Sequence, residues 1–150
     1  MKSIIYFFTG FFVSAFIIAL LYSPIHGFPT ITWSMIVHCS LAFIISIPIH
    51  EFIHGLTCAY VSENNFKTIS YGINLRSFNA YCKYTLPVAP QKRQYVVIMP
   101  CIILAAIPSL IGILLGIIPL CILGAFGFAG ASKDIHSFIK LRKAIKQTRI

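Results

Sequence analysis

The chain has 150 residues, 58% of them apolar and only 10% charged, with twelve Lys and Arg against three Asp and Glu. Soluble domains carry about 25% charged residues, so this composition excludes a water-covered globule and implies one integral-membrane domain spanning residues 1–150. The net charge of +9 does not imply nucleic acid, because the basic residues flank apolar runs and form no aromatic-interleaved patch.

The first apolar run, residues 4–22, is long enough to cross a hydrocarbon core of about 30 Å. It exceeds the apolar core of a signal peptide and no Ala-x-Ala-like site follows, so a retained helix is expected. Ser23 to Thr32 has two prolines, a glycine and no Lys, Arg, Asp or Glu, and reads as a turn. The second run, 33–61, is interrupted by Pro48, which predicts a kink or a local helix start just before His50. In the polar stretch that follows, 68–75 and 80–86 carry β-branched and aromatic residues in partial alternation. They predict a short hairpin with its turn at 76–79.

A third span is expected over 95–115 and a fourth over 117–136, where Gly124, Gly127 and Gly130 permit close helix approach. The tail, 137–150, has Phe138, Leu141 and Ile145 at helical spacing among basic residues and reads as an interfacial amphipathic helix. The fold class is therefore all-α membrane protein, four transmembrane helices with a β-hairpin between the second and third. Every Lys and Arg falls at Lys2, within 62–94, or from Lys133 onward. That places both termini in the cytoplasm. The five cysteines are scattered without a Cys-x-x-Cys pair, so neither a disulfide framework nor a thiolate metal site is expected.

The chemistry lies in His50-Glu51-Phe52-Ile53-His54. On a helix, residues four apart share a face, so the two imidazoles can grip one metal ion, with Glu51 beside them as general base. In an apolar helix nothing solvates Glu51, and a membrane carboxylate is costly unless paired. A catalytic zinc site needs a third protein ligand and an open position. Glu63 lies about 13 Å further along the helix axis and His38 about 18 Å before the motif, too far in either direction. Thr57 and Tyr60 stand where an extended zincin pattern would have Gly and a third His. Asp134 or His136 remains. Counted along the fourth run, Asp134 reaches the depth of His50 and His54, and its charge needs a cation more than His136 does. Asp134 is the preferred ligand.

These residues resemble a known group. His50-Glu51-Phe52-Ile53-His54-Gly55 with a late Asp134 looks like the site-2 protease type of intramembrane zinc peptidase. It is closer to the zincin peptidase family of small bacterial membrane proteins, first catalogued as a domain of unknown function. The further marks of that family are Gly72-Ile73, Tyr81-Cys82, Pro87, and Gly130 with Asp134, and the resemblance covers most of the chain after about residue 33. It implies Zn2+ held by His50, His54 and Asp134, with Glu51 as base, in the bacterial cell membrane. The Leu-Asp-Gly signature of site-2 proteases is absent, since Lys133 and Ile135 flank Asp134. The expected function is hydrolysis of membrane-embedded or membrane-adjacent peptide segments. The competing expectations are a non-catalytic metal-binding protein or transporter, and a small packing subunit without metal.

Overall fold

The computed structural model describes residues 2–62, 66–74 and 79–147. Its elements are α1 (Lys2–His26), α2 (Trp33–Val61), a 3-10 turn (Phe66–Thr68), β1 (Ile69–Asn74), β2 (Asn79–Tyr84), α3 (Pro90–Cys101), a π turn (Ile102–Ala106), α4 (Ile107–Leu115), α5 (Ile118–Gly130) and α6 (Ser132–Gln147). The fold is the helical membrane class expected, with a two-stranded hairpin between the second and third spans. The stretches Ile4–His26, Trp33–Val61 and Pro90–Leu115 are long and apolar enough to cross a membrane. The broken pair α5–α6 makes a fourth when counted as one span. Large apolar side chains such as Phe8, Phe12, Phe16, Ile44 and Ile45 remain exposed on α1 and α2, as a lipid-facing surface requires.

Several boundaries differ from the sequence reading. Helix α1 continues through Ser23 and Pro24 to His26. Proline so near a C-terminus removes only one ladder bond, and the helix closes through the Gly27 amide on the Ser23 carbonyl at 2.9 Å, with Gly27 at φ 78°. The third span starts at Pro90 rather than Tyr95, since proline at a first helical position sacrifices no bond. It widens into the π turn just before Pro108, whose ring would otherwise meet the Leu104 carbonyl. The fourth run is not one helix over 117–136. It breaks at Ala131, whose amide bonds the Gly127 carbonyl at 2.9 Å, while Ser132 Oγ donates to the Ala129 carbonyl at 2.8 Å. Asp134 consequently stands in the first turn of α6 rather than late in a continuous span, and the helical tail begins at Ser132. Of the expected hairpin turn, Arg76 to Phe78 lie outside the described residues, as do Glu63 and the last three residues of the tail.

Contacts divide the chain into two compact units, Met1–Ser46 with Cys101–Lys133, and Ile47–Pro100 with Asp134–Ile150. The first is helical. Its core is Ile18, Tyr22, Cys121 and Ala125, with Phe11, Ala15, Ile113 and Ile118 against it. Phe126 joins the helices by stacking on Phe43 and meeting Phe11 at a tilt, both at 4.9 Å between centroids. Gly124 and Gly127 admit the π turn: a Cβ at Gly124 would lie 3.0 Å from the Ala105 carbonyl oxygen, and one at Gly127 would collide with the Leu104 carbonyl. Here small residues serve packing.

The second unit joins the later half of α2 to the hairpin and α3. The strands pair antiparallel from Ile69 opposite Tyr84 to Asn74 opposite Asn79. Ile69, Cys58 and Val96 form its buried cluster, with Cys82, Tyr84 and Val88 packed around them. Along β2 the half-buried Ala80, Cys82 and Tyr84 alternate with exposed Tyr81 and Lys83, as a half-buried hairpin requires.

Candidate metal centre

His50 and His54 are four residues apart on α2, so they project from one face. Their ring centroids are 4.8 Å apart, with planes at 80°. Ligand atoms of His50, Glu51 and His54 all lie within 4.8 Å of one another. From α6, Asp134 Oδ2 lies 2.8 Å from His50 Nε2 and 3.4 Å from His54 Nε2. The three side chains are mostly buried. All four residues belong to the second unit.

The other face of the His54 ring system fixes its chemistry. Nδ1–H donates to the Val96 carbonyl at 2.8 Å. A neutral His54 so held carries its lone pair on Nε2, which faces a carboxylate oxygen. Two facing acceptors need a cation between them, and a backbone partner on the outer nitrogen is the usual support of a metal-ligating histidine. With bonds of 2.0–2.1 Å, donors at adjacent corners of a tetrahedral zinc site lie about 3.3 Å apart. The His54–Asp134 separation of 3.4 Å fits that edge. The His50–Asp134 separation of 2.8 Å is about half an ångström shorter, the length of a direct hydrogen bond. Two imidazoles and one carboxylate are a donor set that suits zinc.

Glu51 is oriented from the hairpin, because its carboxylate accepts a hydrogen bond from the Cys82 backbone N–H. The strand register explains why that amide is available. Thr85 donates its N–H to the Thr68 carbonyl at 3.1 Å, and alternation along the ladder then turns Cys82 N–H away from β1. Burial pushes the Cys82 thiol up to about 11, with the Glu51 carboxylate and the neighbouring Cys58 adding to it.

Comparison with protein families puts a name to this arrangement. The model of the family described as "Putative zincin peptidase" matches residues 43–149. The chain belongs to that family. The match takes in the motif, the hairpin and Asp134. No curated protein and no solved structure matches the chain. The zincin peptidase family is by its description a metallopeptidase family, and zinc is the metal it implies.

The site therefore brings together His50, Glu51, His54 and Asp134. It does not take in His38, whose Nδ1 is 2.6 Å from the carbonyl of Ser34 in its own helix, and His136 lies exposed on α6. Two partners went unforeseen, the Val96 carbonyl and the Cys82 amide. Both are backbone atoms, for which no residue type is a signal, although Cys82 falls in one of the family's marks.

Proposed function

We propose that the protein is an intramembrane zinc metalloprotease, a single membrane domain with both termini in the cytoplasm, cutting peptide bonds in or beside the bilayer. The observation that carries this reading is the convergence of His50 Nε2, His54 Nε2 and Asp134 Oδ2, with the Glu51 carboxylate beside them, on α2, which is apolar enough to cross a membrane, and on α6, the second half of the bent pair. His50, His54 and Asp134 would hold the metal. Zinc supplies an acidified water and polarises the scissile carbonyl.

The remaining steps belong to the chain. Glu51 accepts a proton from the attacking water as its oxygen adds to the carbonyl carbon. It returns that proton to the amide nitrogen as the C–N bond breaks, so the products are a carboxylic acid and an amine. Val96 keeps His54 in the tautomer with Nε2 free, and Cys82 N–H holds one carboxylate oxygen of Glu51, which leaves the other for the proton. The exposed apolar faces of α1 and α2 suit a bilayer, and membrane-embedded or membrane-adjacent protein segments are the substrate class of this reading.

The test is Glu51→Gln in protein reconstituted with a single-span model peptide. Gln keeps the shape and loses the base. Cleavage should fall by about 10²–10⁴-fold, with metal content unchanged. Cleavage at the wild-type rate in Glu51→Gln, or none in the metal-loaded wild type, would replace the enzyme by a passive metal binder.

A further inference from the structure

Gly55 follows His54 directly and is crossed by a side chain from another element. A Cβ built on it would collide with the Tyr71 hydroxyl and lie 2.7 Å from Tyr71 Cζ. The Tyr71 ring also lies 6.2 Å from that of Phe52, so it crosses α2 between two positions three apart. Tyr71 stands opposite Cys82 in the hairpin register, and Cys82 N–H is the amide that bonds Glu51. Burial raises the Tyr71 phenol, with Cys82 and Cys58 contributing.

These contacts form a series. Glu51, Gly55 and Cys58 are successive positions on one face of α2, each separated by about one turn or 4.5–6 Å. Ile69 shares the buried cluster of Cys58, Tyr71 covers Gly55, and the residue paired with Tyr71 reaches Glu51. Two residues along a strand advance about 6.8 Å, close to one helical turn. The hairpin thus lies along the helix face in register with it, seated at one point by a glycine.

Resting on the reading of Glu51 as general base, we infer that the hairpin is a latch on the motif helix, in which Tyr71 seated on Gly55 holds the Cys82 amide against Glu51. Tyr71 and Gly55 are positioning residues. The seat works by shape, because only a residue without Cβ lets the phenol lie on the helix. Gly55→Ala lifts Tyr71, and the Cys82 amide leaves with it. Glu51 then keeps its charge but loses its fixed direction toward the water.

The test uses the full chain with zinc bound and three readouts: metal content, the iodoacetamide alkylation rate at Cys82 read by peptide mass spectrometry, and kcat on the model peptide. Gly55→Ala should keep its metal, alkylate Cys82 tenfold or more faster, and lose tenfold or more in kcat with little change in KM. Tyr71→Ala should do the same, and the double variant should be no worse than the worse single, since both act at one contact. Tyr71→Phe retains the ring and should keep Cys82 slow to react. Wild-type alkylation in Gly55→Ala would overturn the latch, and so would single effects that multiply in the double variant. The alkylation arm does not depend on proteolysis. A protein without peptidase activity but with fast-reacting Cys82 in Gly55→Ala would defeat the enzyme reading and leave the latch standing.

Discussion

The two units use the same residue types to opposite ends, and histidine shows this best. In the first unit, His26 donates Nε2–H to the Ile113 carbonyl at 2.8 Å and packs at a tilt against Tyr22, whose hydroxyl donates to the Gly116 carbonyl at 3.1 Å. Those groups are satisfied by backbone and tie α1 to the α4–α5 turn. In the second unit His54 also spends one nitrogen on a carbonyl, but its other nitrogen faces Asp134 beside that of His50. A histidine whose partners are all carbonyls is a fastener. Two whose Nε2 atoms meet one carboxylate could hold a metal ion with it. Glycine divides likewise: Gly127 admits backbone, and Gly55 admits a phenol.

The largest effects should follow from exchanging these roles. His54→Ala should abolish metal binding and cleavage together. His26→Ala should leave metal content intact and cost about 0.5–1.5 kcal/mol of stability, the net value of one hydrogen bond. Thermal unfolding in detergent with parallel metal analysis separates the two. Loss of zinc from His26→Ala would erase the distinction.

Next in size are the glycines of the first unit. At Gly127 a Cβ would lie 2.8 Å from Leu104 C and 2.9 Å from Ala105 Cα. Both neighbours are helix backbone, so Gly127→Ala should destabilise by about 1–3 kcal/mol, as overpacking does. The folded fraction should still bind zinc. A wild-type melting temperature would show that the π turn yields.

The smallest effect concerns pH. Only the thiolate is alkylated. With the Cys82 thiol at about 11 rather than the ordinary 9.0, its thiolate fraction at pH 8 is lower by about a hundredfold. Cys82 alkylation should be slow there and rise about tenfold per pH unit toward pH 11. A plateau near pH 9 would mean that the thiol is solvated and the hairpin is not seated.

How much of this was legible in the sequence depends on the kind of atom involved. Helix identities followed from apolar length, and the hairpin from alternation at 68–75 and 80–86, because both are patterns of side chains. Helix α1 outruns its apolar stretch through Pro24 and α3 begins ahead of its own at Pro90, since proline breaks a helix only where its missing amide matters. The break at Ala131 went unread because neighbouring glycines signal close packing and helix interruption alike. In the site, the motif spacing and the charge of Asp134 drew attention to residues that the fold brings together. The depth count used for Asp134 assumed a straight fourth helix, and α6 starts afresh at Ser132. Val96 and the Tyr71–Gly55 contact follow from how β1 and α3 meet α2, which no local pattern encodes.

The central claim is that His50, His54 and Asp134 hold one zinc ion, with Glu51 beside it and not bound to it. Metal analysis of purified protein by mass spectrometry, for wild type and the His50→Ala, His54→Ala, Asp134→Asn and Glu51→Gln variants, tests it most directly. The account predicts about one zinc per chain in wild type and Glu51→Gln, none in the two histidine variants, and weakened binding in Asp134→Asn. Full zinc content in either histidine variant, or loss of zinc in Glu51→Gln alone, would contradict it.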